Sequence, residues 1–490
     1  MPCYTDTRRM TPAPQSRNVY IETYGCQMNQ LDSELLSDRL VAAGFTMVEA
    51  VEAAGIVLIN TCSVRELAEH KVWSHLGRLG VLKKTTRPGL VIGVLGCMAE
   101  REAGVITKRM PYVDLVCGPA LLDRLPLLIA SAVQNRRAEI AVSGYAHRLE
   151  SNDVAPPYEE HDALDLARSF AARPTRAQAF VRITRGCDKL CSFCVVPFTR
   201  GPEVHRPPAQ IVEEVRRLVE SGVVEVTLLG QTVNHYAFAD GGKCTSFADL
   251  LYQVHEAVPA LPRLRFVTSY PRDFDDATLD VMAQAPRICR YLHLPAQSGA
   301  DRILQAMNRG YTVEGYLALL ERARRRMPDI CFAGDMIAGF PTETEEEHQA
   351  SLALLRLARY KNCFMFQYSP RSGTVAARRF VDDVPAEVKH RRNLELLELQ
   401  ASINLQHNEA RRGHRLEVLV EGQTKIKAHA QGGLVRIGAS KKRWADEARL
   451  VGRTRGDEIV AFDGPAGLVG QIATVKAVGA TALTLLAELE

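Results

Sequence analysis

Ile56-Val-Leu-Ile-Asn60-Thr-Cys62 is the stretch that decides the fold class. A short branched-apolar run reads as a strand, and helical apolar spacing follows it to about residue 82. Working outward, Val19-Tyr-Ile-Glu-Thr-Tyr24 reads as an earlier strand, followed by a helix over 29–43. Leu90-Val-Ile-Gly-Val-Leu95 reads as a later, buried strand with another helix behind it. Strands alternating with helices imply parallel βαβ units. Each strand is followed within two residues by a cysteine: Cys26, Cys62 and Cys97. Parallel strands place their C-terminal ends along one edge, where open α/β sheets bind ligands. Three thiols there can converge on one metal cluster although about 35 residues separate each from the next. Any one of them alone would read as a buried structural cysteine.

The alternation resumes at 179, with strands expected at 180–184, 224–229, 264–268, 290–294, 331–337 and 362–368. Helices are expected near 209–221, 246–258, 275–285, 299–307, 313–327 and 343–359, the last with Thr342-Glu-Thr-Glu345 as its capping box. Six βα units in this length predict a partial (β/α)6 barrel. After its first strand comes Cys187-Asp-Lys-Leu-Cys191-Ser-Phe-Cys194. Thiolates are soft ligands for iron–sulfur clusters or zinc. A four-iron electron carrier normally takes four cysteines, so three leave one iron open to a substrate. The alternative is a zinc with a remote fourth ligand such as His205, but barrel active sites are built where this motif falls, at the C-terminal ends of strands.

Residues 386–410 read as one connecting helix, and after 413 short strands with glycine turns predict a small β-barrel. The domain boundaries expected are a disordered lead-in over 1–17, an N-terminal cluster-binding domain over 18–135, a linker over 136–175, the barrel with its connecting helix over 176–410, and an all-β domain over 411–490. No apolar run approaches the 18 residues of a membrane helix, and the lead-in, with Arg8, Arg9, Pro12 and Pro14, has no signal-peptide character. A cytoplasmic location without membrane contact is therefore expected, and twelve cysteines in a reducing compartment point to metal or catalysis. The net charge is +4, from 61 basic and 57 acidic residues. Residues 411–490 hold 13 basic and 9 acidic residues, so the whole excess lies there.

Tyr24-Gly-Cys26-Gln-Met-Asn29, Asn60-Thr-Cys62-Ser-Val-Arg-Glu66 and Gly96-Cys97-Met-Ala resemble the N-terminal domain of the radical-SAM methylthiotransferases. Arg185-Gly-Cys187 through Cys194-Val-Val-Pro-Phe-Thr-Arg-Gly201 resembles their radical-SAM segment. Leu229-Gly-Gln-Thr-Val-Asn234, His293-Leu-Pro-Ala-Gln-Ser-Gly299 and Tyr368-Ser-Pro-Arg-Ser-Gly-Thr374 continue the likeness. Gln27-Met-Asn29, Ser63-Val-Arg-Glu66 and Val195 to Gly201 make it similar to the MiaB-type tRNA methylthiotransferases. Residues 412–488 resemble a TRAM domain, an RNA-binding β-barrel, with Arg411, Arg412, Lys425, Lys427 and Lys441 to Arg443 available to phosphates. The excursion from Gln431 to Asp446 departs from the TRAM pattern.

The resemblance implies two 4Fe-4S clusters, one on Cys187, Cys191 and Cys194 and one on Cys26, Cys62 and Cys97, with S-adenosyl-L-methionine (SAM) as cosubstrate. It implies replacement of the C2 hydrogen of N6-isopentenyladenosine by a methylthio group at position 37 of tRNA, in the anticodon loop. A reducing electron donor, a sulfur donor and a monomeric chain are expected with it. Gln231, Gln297 and Asp335 fall near strand ends, where SAM contacts would lie. Arg200 and Arg206 could hold phosphates or the SAM carboxylate, or form structural salt bridges. Cys289, Cys331 and Cys363, in apolar stretches, are expected to be core thiols. Two rival readings are a methylthiotransferase for threonylcarbamoyladenosine tRNA or a ribosomal protein, and a noncatalytic iron–sulfur RNA-binding protein.

Overall fold

The structure is a computed structural model that describes residues 17–63, 66–135, 138–144, 164–166, 168–170, 177–424 and 447–490. The lead-in up to residue 16 and most of the expected linker lie outside the described residues. The chain forms two compact units. The first comprises Met1–Ser169, Arg185–Asp188 and Cys194–Val204, and the second the remainder.

In the first unit, β1 (Asn18–Tyr24), α1 (Gln27–Ala42), β2 (Thr46–Met47), β3 (Ile56–Thr61), α2 (Glu66–Thr85), β4 (Val91–Gly96), α3 (Cys97–Arg109), β5 (Leu115–Cys117), α4 (Leu125–Asn135) and β6 (Glu139–Ala141) follow in order. The sheet order is β2-β1-β3-β4-β5-β6, and every pairing is parallel. Every residue of β3 and β4 is buried, because helices cover both faces of such a sheet. Val57, Ile59, Ile92 and Val94 pack against Val72, Leu76 and Ile106 of the flanking helices. β5 and β6, three residues each, carry too little pattern to be read from sequence. The strand order reverses direction between β1 and β3, the point at which such sheets open a crevice for ligands.

The second unit holds six parallel strands in sequential order. Gln178–Arg182, Glu225–Leu229 and Arg263–Phe266 pair as one group, and Tyr291–His293, Cys331–Ala338 and Asn362–Gln367 as another. A parallel bridge between Leu264 and Ile288 joins the two. This is the expected partial (β/α)6 barrel. Its core runs through Val181, Leu228, Phe266, Leu292 and Met336, covered by Val215, Leu251, Leu320 and Leu355. The expected capping box at Thr342 is displaced. Thr342 sits at φ +65°, held by Arg302 and Asp383, and Thr344 is instead the extended residue that caps Glu345–Ala358 with Glu347. Both positions satisfy the same Thr-x-x-Glu spacing, which therefore does not distinguish them. A hairpin of Ala237–Asp240 with Lys243–Ser246 was not anticipated, although its turn is Gly241-Gly242, both at positive φ.

The helix Ala386–Glu409 leads into a closed five-stranded barrel of Arg415–Gln423, Glu447–Arg453, Ile459–Pro465, Ile472–Ala480 and Leu485–Leu489. Val418, Leu450, Phe462, Val475 and Leu485 fill it. Its seat on the larger barrel is polar. The fully buried guanidinium of Arg263 donates to the carbonyls of Arg453 and Glu417, at 2.9 Å each, and Arg265 donates to Thr454 O at 3.1 Å. Among the described residues, no helix is long and apolar enough to cross a membrane.

Candidate active site

Register fixes the heights of the N-terminal cysteines. Tyr24 stands opposite Thr61, and Thr61 opposite Gly96. Cys62 and Cys97 are therefore the next residues beyond adjacent strand ends, and Cys26 is one further along. Cys26 is the N-cap of α1 and Cys97 opens α3, so both thiols meet the positive end of a helix. The close approach needs glycines. A Cβ on Gly25 (φ +148°) would lie 2.5 Å from Cys62 Cβ, and one on Gly96 (φ +88°) 2.4 Å from Asn60 Oδ1.

Below the thiols lies a buried amide network. Cys26 Sγ donates to Asn29 Oδ1 (3.2 Å), Asn29 Nδ2 to Asn60 Oδ1 (3.1 Å), and Asn60 Nδ2 to Ser33 Oγ (2.9 Å). Arg200, 3% exposed, binds Asp32 at 2.7 Å and acts electrostatically on Cys26 and Cys97. A hydrogen bond from Cys62, opposed by burial and aided by Arg200, brings the Cys26 thiol down to about 6. Burial pushes the Cys97 thiol up, with Arg200 working against it. Three soft donors, two helix N-termini and a buried cation fit a group with net negative charge, as an iron–sulfur cluster is. Of the two roles weighed for Arg200, the salt bridge is the one formed. Cys117, at the end of β5, turns its thiol to Leu121 O.

The second cysteine motif is held by backbone. The Cys187 amide donates to Gly201 O at 3.2 Å, and Gly186 (φ +77°) leaves no room for a Cβ, which would sit 1.8 Å from Pro202 O. Cys194 Sγ accepts from the Val196 amide at 3.5 Å. Cys191 Sγ accepts from Arg309 Nη1 at 3.3 Å. Its loop is tied down by Ser192 Oγ to Ala306 O (2.8 Å) and Asn308 Nδ2 to Leu190 O (3.0 Å).

At the C-terminal ends of the barrel strands, Gln231 buries an Oε1 that has no hydrogen-bond partner among the described residues. An orphaned acceptor there suits the ammonium group of SAM. Gln297 sits at φ +72°, its amide donating to Asp335 O at 2.8 Å and its carbonyl accepting from Ile337. Asp335 is paired with His293 at 3.2 Å. Burial disfavours the charged imidazole, yet Asp335 raises the His293 pKa above its ordinary value. The sequence assigns His293 no role and gives no signal at Ser269, whose buried Oγ is unpartnered among the described residues. The neighbouring Thr268 at φ +72° marks this rim as backbone that tolerates strain, as functional sites do. Arg206 binds Glu214 (2.7 Å) and Arg182 O (2.8 Å), so it is a structural salt bridge.

Cys289 is buried as expected, whereas Cys363 is half-buried. Cys331, 3% exposed, is buried as expected, although its neighbours are polar. It meets Glu458, His407 and Arg411 in a polar knot. Arg411 binds Glu458 at 3.0 Å and faces inward, so it is not available to a phosphate. Arg412 remains exposed. Lys425, Lys427, Lys441 to Arg443 and the excursion from Gln431 to Asp446 lie outside the described residues.

Two family models match the chain. One, described as Uncharacterized protein family UPF0004, covers residues 18–118, and the other, the Radical SAM superfamily, covers 181–355. The chain is 42% identical to the tRNA-2-methylthio-N(6)-dimethylallyladenosine synthase of Rhodopirellula baltica, over 94% of this chain and 93% of that protein. It is 40% identical to the enzyme of that name from Syntrophotalea carbinolica, over 94% and 97%, and 42% to that from Aeromonas hydrophila, over 94% and 89%. Among solved structures, the radical S-adenosylmethionine methyltransferase TsrM from Kitasatospora setae shares the fold. Its TM-score is 0.52 at 15% identity, over 74% of this chain and 77% of that one.

Proposed function

Because the chain belongs to the family of tRNA-2-methylthio-N(6)-dimethylallyladenosine synthases, we infer that it is a radical-SAM transferase placing a methylthio group on C2 of N6-isopentenyladenosine at position 37 of tRNA. It works with two 4Fe-4S clusters and SAM. The observation that carries the site assignment is the shared register: three cysteines follow the ends of three adjacent parallel strands, beneath a buried arginine.

When bound, the clusters and SAM supply the radical that activates an aromatic C–H bond, together with the sulfur and the methyl group. The protein's part is to hold and to orient. Cys187, Cys191 and Cys194 would hold the cluster that activates SAM, and Cys26, Cys62 and Cys97 would hold the cluster that carries the sulfur. Gln231, Gln297 and the Asp335–His293 pair line the rim where the amino and carboxylate groups of SAM would be fixed. The C-terminal barrel binds RNA, which accounts for the excess positive charge of residues 411–490. The base must leave its stack to be reached, as bases of single-stranded loops readily do. The chain acts as a monomer in the cytoplasm, served by a separate electron donor and sulfur donor.

The test compares wild type with a Cys26→Ala/Cys62→Ala/Cys97→Ala variant after anaerobic reconstitution, on tRNA with and without the isopentenyl group. Wild type should carry about eight irons, as two four-iron clusters require, and modify only prenylated tRNA. The variant should keep about four irons, still release 5′-deoxyadenosine from SAM, and make no methylthio product. Undiminished iron in the variant would remove the N-terminal assignment. Equal turnover on unprenylated tRNA would remove the substrate assignment.

A further inference from the structure

Most buried arginines in this protein are matched by carboxylates: Arg200 by Asp32, Arg206 by Glu214, Arg265 by Glu225 and Arg392 by Glu343. Arg309 is not. It is 5% exposed, and its hydrogen bonds go to Tyr311 Oη and Pro295 O (2.9 Å each) and to Cys191 Sγ (3.3 Å). Its guanidinium also lies 4.7 Å from the ring centre of Tyr270 and 5.3 Å from that of Tyr311. The other cations around Tyr270, Lys189 and Arg272, share Asp273 as their counter-ion. Among the described residues, Arg309 has no carboxylate within ion-pair distance. A buried, unpaired cation is costly unless an anion meets it, and among the described residues the partner of Arg309 that would carry negative charge as a cluster ligand is the Cys191 sulfur.

We propose that Arg309 is the counter-ion of the cluster ligated through Cys191, and that it raises the reduction potential of that cluster. This rests on the reading of Cys187, Cys191 and Cys194 as ligands. A positive charge beside a cluster favours the form with the added electron, and an N–H···S hydrogen bond acts in the same direction; both set iron–sulfur potentials. Arg309 is a positioning residue. It is anchored by Pro295 and Tyr311 so that one N–H faces sulfur, and it touches the cluster through its ligand. Gln at this place would keep a donor and lose the charge. Lys would keep the charge and lose the fork.

The experiment uses the full chain with Cys26, Cys62 and Cys97 replaced by alanine, so that one cluster remains. Arg309, Arg309→Gln and Arg309→Lys forms are compared by iron content and by a redox titration read from the electron paramagnetic resonance of the reduced cluster. The Arg309 form should hold about four irons. The Gln form should show at least a tenfold lower ratio of reduced to oxidised cluster at a fixed potential, a shift of about 59 mV or more to the negative for one electron. The Lys form should fall between. A Gln midpoint equal to that of the Arg309 form overturns the inference while leaving the ligand assignment intact. If the Gln form holds no iron, an Arg309→Met form, which loses both the charge and the donor, is titrated in its place, and a midpoint equal to that of the Arg309 form overturns it. No iron in the Arg309 form itself would overturn the ligand assignment and the inference together.

Discussion

Replacing Gly96 by alanine should dismantle the N-terminal cluster site without touching a cysteine. Gly96 lies at φ +88°, ψ −158°, a region open in practice to glycine alone. An added Cβ would stand 2.4 Å from Asn60 Oδ1 and 2.6 Å from Thr61 O. The amide of Asn60 could yield, but the Thr61 carbonyl belongs to β3 and cannot move without carrying Cys62. Backbone strain of about 1–3 kcal/mol and overpacking of about 1–3 kcal/mol sum to roughly 2–6 kcal/mol. For a unit of this size that corresponds to a fall of roughly 5–20 °C in melting temperature. Because the displacement falls between Cys62 and Cys97, iron content should drop from about eight to about four. The control is Gly104→Ala on the exposed face of α3, where nothing lies within 4 Å; it should be neutral or stabilising by up to about 1 kcal/mol. Melting curves and iron assays on the three proteins decide the matter. If Gly96→Ala keeps its full iron and melts with wild type, the packing argument for the triad fails.

Two further outcomes follow from the second unit. Burial opposes ionisation of Glu458, but His407 and Arg411 hold it down to about 2, against 4.5 in the unfolded chain. A depressed carboxylate contributes stability above its unfolded value and loses it as pH falls toward the folded one. Glu458→Gln should therefore cost about 3 kcal/mol at pH 7. The gap from wild type should close between pH 4.5 and about 2; a gap independent of pH in denaturant titrations would refute the ion-pair account. Gln231→Ala, which removes an orphaned buried acceptor, should weaken SAM binding to the cluster-loaded protein about ten- to a hundredfold, the loss of one hydrogen bond to a charged group. Unchanged affinity in anaerobic calorimetry would take Gln231 out of the SAM site.

What the sequence determined by itself is whatever the chain encodes within a short span. Apolar runs such as Ile56–Thr61 and Val91–Gly96 became strands because both faces of a central parallel strand are buried. The eight-residue cysteine motif was readable as a candidate ligand set for the same reason, since its signal lies within a short span. The N-terminal triad lay one step further: strand-helix alternation predicted a common edge, and register supplied the heights. Only the tertiary structure decided the partners. Arg200 stands 168 residues from Asp32, and Arg309 lies 118 from Cys191. Arg263 anchors a domain 190 residues downstream. In sequence Arg200 reads as either an anion-binding or a salt-bridging group and the other two carry no signal, because a lone charge has no periodicity and does not name its partner. Their meaning comes from desolvation, which exists only once the fold has removed water and brought distant partners within reach. The choice of Thr344 over Thr342 as helix cap was settled in the same way, by Arg302 and Asp383 reaching in from elsewhere in the chain.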